Sequence, residues 1–488
     1  MKLDIKWLGF FAIAFGVFAS VTEQTSAQIL VPKVTDYFGL SLPHAQWIML
    51  AYILTVCALF MPLGKIADKI GRKPIFLTGL ITLMLGGIIG SIATTYSVIL
   101  IAKVIAGFGG ASIEANGMAM IADVFGRKQR GKAMGLYMSI IGFSAIAGPL
   151  IGGYLTNIYN WRALFIFNVI LCGLGIIIAL IIFRNKELNI QPNQITGAFS
   201  FDWRGSFLST ATLLIFLLVI TFGNQEGWTS LYISSGIFLC LLLFFLFIWQ
   251  EKTTKDPLLD LNFFKIKTFS LSVTTRFLAF LSMSFSGFLM PFYLIQIMGF
   301  TTTTVGVLLA PGALSMAIIG PFSGQLSDKI GTKWLTAFGM AISGSALIFL
   351  AYLNINSSIT AILLGLTLQG CGAGIFMSPN NSAIMNSIDS SHFGIGSGFM
   401  NLIRATASLS GIAIATTIVV ITMTQLNFEP NLSNITDSSD NGIKLSFISG
   451  MKNSFTIAGF IMYVSAIISI IRGEPKSMNN SRGEKLKS

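Results

Sequence analysis

Gly64-Lys65-Ile66-Ala67-Asp68-Lys69-Ile70-Gly71-Arg72-Lys73 returns 260 residues later as Gly324-Gln325-Leu326-Ser327-Asp328-Lys329-Ile330-Gly331-Thr332-Lys333, with six of ten positions identical. Each copy joins one long apolar run to the next, so each sits in a turn between two helices. A weaker echo pairs Gly107-Phe108-Gly109 with Gly370-Cys371-Gly372. A repeat at this separation implies two related halves, each containing the same helix–turn–helix.

The runs around the repeat have the size of membrane spans, which need about 20 mainly apolar residues each. Uncharged runs cover 45–64, 133–161, 163–183, 205–225, 227–250, 405–427 and 453–471. Three longer runs hold two helices apiece: 74–102 turns at Thr94–Ser97, 277–327 at Gly299–Thr304, and 334–388 at Asn354–Ser358. A first span near 7–32 completes fourteen, with Lys103 and Arg276 inside the starts of the fourth and ninth. The predicted fold is all-α and integral to the membrane. It has an N-terminal half (1–186), a linker with inserted helices 7 and 8 (187–262) and a C-terminal half (263–488).

Composition agrees. Of 488 residues 53% are hydrophobic and 10% charged, and mean hydropathy is +0.78. A soluble domain carries about 25% charged residues to face water. The net charge of +12 could suggest nucleic acid, but its distribution excludes that. With the N-terminus placed in the cytoplasm, 24 of the 31 Lys and Arg fall in cytoplasmic loops and tails, 4 in outer loops and 3 in spans. That is the positive-inside pattern of a membrane protein, and it predicts both termini in the cytoplasm. Lys2, Lys6 and Thr25-Ser26-Ala27 imitate a cleavable signal, yet Glu23 just before such a site argues against one. The segment continues instead through Ile29-Leu30-Val31-Pro32 into the expected first outer loop. Cys57, Cys172, Cys240 and Cys371 lie in apolar runs as small core residues, and His44 and His392 are scattered, so no metal site is implied.

The Gly64–Lys73 segment resembles the signature loop of the major facilitator superfamily. Other segments resemble its fourteen-helix drug:proton antiporter branch. Glu23-Gln24-Thr25 through Pro32 is similar to the helix-1 motif, which usually begins with Asp. Trp47 and Tyr52 fit helix 2, and Gly148-Pro149-Leu150-Ile151-Gly152-Gly153 resembles the exporter motif of helix 5. Trp161-Arg162 through Asn168 matches the entry to helix 6. Asp256-Pro257-Leu258 and Pro291-Phe292-Tyr293 through Gln296 match segments before and late in helix 9. Lys103 departs from the motif, which normally has Arg there. The resemblance implies a secondary active transporter, a proton-coupled exporter of amphipathic drugs or organic cations, and no enzyme. It implies a plasma or inner membrane location and a role in antibiotic resistance. Partners would be the small-molecule substrate, protons and lipid, the energy source a proton gradient without a cofactor, and the chain a monomer.

Two acids lie well inside spans, Glu23 and Glu114. Inserting a charge there costs about 2.5–3.5 kcal/mol on insertion scales, so an intramembrane acid marks a functional site by default. One negative site cannot favour a proton and a cation at once, which makes such an acid an exchanger. A purely structural pairing is the plainer alternative. Counted from Pro32 and Ser97, Glu23 and Lys103 lie about 14 and 9 Å deep, close enough for a lysine to bridge. Glu114 lies deeper, a second station. Glu23→Gln is expected to stop proton-driven cation transport while folding survives.

The segment holding Gly64, Asp68, Gly71, Arg72 and Lys73, with Asp328 and Gly331 in its copy, is expected to be a gate: Gly64 and Gly71 permit a tight turn, and Asp68 can accept from Arg72. Gly148, Pro149, Gly152 and Gly153 allow a kink and a close helix contact. Tyr52, Asn116, Arg276, Phe292, Tyr293, Gln296 and Arg404 are candidates for cavity lining. Export of a metabolite, lipid or siderophore by the same machinery remains the alternative substrate reading. A polytopic enzyme would need a cluster of His, Asp or Glu at the membrane surface, which the sequence lacks. The sequence also lacks a nucleotide-phosphate loop.

Overall fold

The computed structural model describes residues 5–125, 130–184, 202–227, 230–254, 261–385, 387, 393–429 and 441–473. Among these, all regular structure is helical. The fourteen long helices are α1 (Ile5–Phe38), α2 (Trp47–Ile70), α3 (Arg72–Ser91), α4 (Tyr96–Val124), α5 (Arg130–Ile158), α6 (Arg162–Phe183), α7 (Trp203–Glu226), α8 (Leu231–Thr253), α9 (Lys267–Phe292), α10 (Thr302–Ile330), α11 (Lys333–Ala351), α12 (Ile359–Met385), α13 (Phe393–Gln425) and α14 (Asn441–Arg472). A four-residue helical turn, Leu42–Ala45, precedes α2, and a π-helical turn, Tyr293–Ile297, extends α9. Thirteen of the long helices are apolar enough to cross a bilayer; α7, of 24 residues, is not among them. The predicted turns at Thr94–Ser97, Gly299–Thr304 and Asn354–Ser358 all fall where helices break.

Helices dominate because lipid offers the backbone no hydrogen-bond partners, so each span satisfies its own. Two six-helix sets repeat the same neighbours. In the first, α1 packs on α5 and α6, α4 on α2 and α3, and α3 on α6. In the second, α9 packs on α13 and α14, α12 on α10 and α11, and α11 on α14. Gly109 and Gly372 occupy equivalent places: a Cβ there would meet the Gly79 carbonyl at 2.6 Å and the Gly339 carbonyl at 2.6 Å. The sets join through α5 on α10 and α2 on α13. The inserted helices form a hairpin whose α7 touches α13 and α2, while α8 turns a nearly wholly exposed apolar surface outward.

Two sequence expectations are corrected. The first helix does not end at Pro32 but continues to Phe38, because Ile29, Leu30, Val31 and Val34 are buried against the rest of the protein. The repeated segment is not a loop from Gly64: α2 runs through to Ile70 and Gly71 alone makes the turn, at φ 104°. Gly331 does the same after α10, at φ 87°. Both angles suit glycine, whose missing Cβ removes the clash. Gly64 serves instead as a helix contact, a Cβ there lying 3.9 Å from Ala115 of α4.

Candidate functional site

Glu23 lies on α1 with a carboxylate that is fully partnered. Lys103 of α4 donates from Nζ to Oε1 at 2.5 Å, and Asn168 of α6 donates from Nδ2 to Oε2 at 2.7 Å. Cys172, one turn along α6, donates to Asn168 Oδ1 at 3.3 Å, fixing the amide. The Lys103 ammonium also sits 5.0 Å from the centre of the Phe165 ring, a cation–π distance. Glu23 is 5% exposed and Lys103 1%. The whole assembly lies inside the N-terminal set, so the ion pair is a structural bond of that set in this conformation. Asn168 was legible only as part of a motif; nothing in the sequence gave its contact with Glu23.

Glu114, also on α4, has different surroundings. Ser20 of α1 donates to its Oε1 at 3.0 Å, and the Ser20 hydroxyl lies 3.3 Å from the Tyr52 hydroxyl. Its other oxygen is 3.7 Å from Arg404 Nη2, which belongs to α13 in the opposite set. This pair spans the division between the sets, with side chains 13% and 26% exposed. A carboxylate here can be reached by a ligand between the sets.

The remaining candidates divide. Arg404 and Tyr52 surround Glu114. Asn116, Phe292, Tyr293 and Arg276 are buried among helices in this structure. Asn116 donates to Ser112 O at 2.8 Å, and Tyr293 to Asn354 O at 2.7 Å. Arg276 donates to Met400 O at 3.0 Å and to Asn381 Oδ1. Gln296 lies far from Glu114, on the face opposite the two repeat turns, where its amide donates to Asp36 of α1 at 2.7 Å.

The helix-5 motif builds a second contact between the sets on that opposite face. A Cβ at Gly148 would strike the Thr25 side chain of α1, and one at Gly153 the Thr302 backbone of α10. Thr302 and Thr303 both donate side-chain hydrogen bonds to Gly153 O, at 3.0 and 3.1 Å. At the repeat turns, Lys73 Nζ donates to Phe183 O at 3.4 Å, tying the turn to the end of α6. The side chains of Asp68 and Asp328, and the segment Asp256-Pro257-Leu258, lie outside the described residues.

Two six-helix sets of matching connectivity, with charged side chains meeting between them, are the architecture of a secondary transporter. The family model of the Major Facilitator Superfamily matches residues 13–223 and 203–412. The chain belongs to that superfamily and is a multi-pass membrane transporter, not an enzyme. Among curated relatives, it is 25% identical to the riboflavin transporter RibZ of Clostridioides difficile, over 95% of this chain and 97% of that protein. It is 28% identical to the multidrug transporter MdtP of Bacillus subtilis, over 82% and 73%, and 24% identical to the multidrug resistance protein Stp of Mycobacterium tuberculosis, over 86% and 77%. In fold it is similar to the crystal structure of a bacterial homologue of the human lysosomal transporter Spinster in an inward-facing, unoccupied conformation. That match has a TM-score of 0.69 at 15% identity, covering 97% and 98% of the two chains.

Proposed function

We propose that this transporter is a proton-coupled exporter of amphipathic drugs or organic cations across the cell membrane, with both termini cytoplasmic. The observation that carries the reading is Glu114, a carboxylate between the two sets that is held by a guanidinium from the opposite one. Glu114 alternates between two states. Protonated, it lets go of Arg404 and the bond between the sets loosens. An arriving cationic substrate then displaces that proton, which leaves to the solvent, and takes the carboxylate. Glu23, sealed with Lys103 and Asn168, is the station nearer the outer face, where a proton can replace the lysine's hold. Residues 1–186 and 263–488 act as the rocking halves, 187–262 as an inserted pair, and the turns at Gly71 and Gly331 as gates. The named activities of MdtP and Stp support the substrate class.

The test is proton release from purified protein in weakly buffered solution on addition of ethidium, a lipophilic cation, with ethidium efflux from proteoliposomes in parallel. Wild type should release protons on binding and, driven by an oppositely directed proton gradient, concentrate ethidium against its own gradient. Glu114→Gln should bind ethidium weakly and release none, and Glu23→Gln should bind but fail to couple. Full proton release and concentrative transport by both variants would remove these carboxylates from the mechanism. A second reading, export of a planar metabolite, is favoured by the end-to-end match to RibZ. Riboflavin accumulation in the same vesicles, without ethidium transport, would select it.

A further inference from the structure

The second copy of the repeat lacks the arginine of the first: Thr332 stands where Arg72 stands. A guanidinium is nonetheless present at that turn. Arg472, the last residue of α14, is only 4% exposed. Its Nη2 donates to Thr332 Oγ1 at 2.9 Å and Thr336 Oγ1 of α11 at 3.3 Å. Its Nη1 donates to Ser272 Oγ of α9 at 3.1 Å and Asn380 Oδ1 of α12 at 3.2 Å. One side chain thus holds the turn and three helices. The acceptors are themselves fixed: Asn380 Nδ2 donates to Ser272 O at 3.2 Å, Thr275 Oγ1 donates to Asn380 Oδ1 at 3.2 Å, and Ser469 shares a hydrogen bond with Thr336.

The N-terminal set closes the same end differently. Among the described residues, aromatic contacts lie there, Trp7 with Phe125 at 5.0 Å and Phe76 with Phe183 at 6.0 Å. Its turn reaches the last helix through the Lys73–Phe183 bond. In both sets, then, a cation ties the repeat turn to the end of the last helix. The cation comes from the turn in the first set and from the last helix in the second. The planar fork of arginine suits the second arrangement, because it can donate in several fixed directions at once, which a lysine cannot.

We propose that Arg472 is a positioning residue for transport: from α14 it fixes the α10–α11 turn to its own half through Thr332 and Thr336. Alternating access needs each half to move as a body around the site between them. A turn released from α14 would lag behind its half, slowing the change of state without altering the substrate site. The proposal rests on the transporter class, not on the substrate.

Three variants of the full chain in proteoliposomes test it: Thr332→Val, Arg472→Met, and the exchange Thr332→Arg/Arg472→Thr. Ethidium turnover should fall about tenfold in the first two while ethidium binding stays within about twofold of wild type, the signature of a slowed conformational step. The exchange variant should recover turnover to within about threefold of wild type, a rescue that a general packing role would not give. Amide hydrogen exchange across 327–336 should quicken about tenfold in Thr332→Val and Arg472→Met, with 68–73 unchanged. Wild-type turnover and exchange in either single variant would overturn the proposal, as would equal loss of binding, or a folded exchange variant without rescue. Should Arg472→Met fail to fold, Thr332→Val, which removes a single hydroxyl, carries the test. Hydrogen exchange needs no substrate, so a wild type that ignores ethidium counts only against the substrate class proposed above.

Discussion

At the scale of single residues, two carboxylates in one bundle face opposite demands. Glu23 exchanges water for two donors, Lys103 and Asn168, and removing either charge of the ion pair leaves the other buried. Loss of one member of such a pair costs about 3–5 kcal/mol. Glu23→Gln would leave Lys103, at 1% exposure, with a buried ammonium. Glu23→Gln and Lys103→Met should each lower the melting temperature, and the double variant should regain most of the loss, since contacting residues do not add independently. Melting curves of the purified proteins check this; a double variant no better than the worse single one would show the pair uncoupled. Glu23→Asp, which keeps the charge, should retain part of the transport. Glu114→Gln should melt close to wild type, because its pair is partly exposed, while losing proton release.

At the scale of elements, glycine placement decides which helices can approach and where they stop. Gly71 and Gly331 each carry a backbone angle that a side chain resists, at about 1–3 kcal/mol. Gly71→Ala and Gly331→Ala should therefore both lower stability, by similar amounts, as measured by thermal unfolding in detergent. The sequence marked Gly64 and Gly71 alike as turn formers; the structure places Gly64 inside α2, facing Ala115 of α4. Gly153 is a sharper case. Its Cβ would enter the Thr302 backbone, where neither side can yield, and overpacking of this kind costs about 1–3 kcal/mol. Gly153→Val should open the contact between α5 and α10 on the face opposite the repeat turns. Alkylation of a cysteine placed at Asn157, in a background lacking the four native cysteines, should then quicken severalfold. An unchanged rate would show that this contact does not control access on that face.

At the scale of the whole molecule, the first and last described helices begin and end on the face of the repeat turns: Arg472 bonds to Thr332, and Trp7 meets Phe125 edge to face just past the end of α4. The proposed orientation, drawn from the charge distribution, puts that face in the cytoplasm. A reporter fused after Ser488 should be active inside the cell, and activity only outside would reverse the assignment. The number of spans, the turns between them and the duplication were legible along the chain because a helix in lipid must be apolar and must satisfy its own backbone. Those are one-dimensional requirements, met locally by each run. Depths of about 14 and 9 Å predict a Glu23–Lys103 bridge, although the first is counted from Pro32 and α1 runs on to Phe38. The sequence did not say which face each helix turns to which neighbour. Asn168 reaches Glu23 across 145 residues, Arg472 reaches Thr332 across 140, and Arg404 reaches Glu114 from the other half. Such pairings depend on the rotation and order of packed helices, and only the tertiary structure decided them. The sequence alone determined that two halves with intramembrane acids cross a membrane; the folded chain determined that one acid is sealed within its half and the other stands between them.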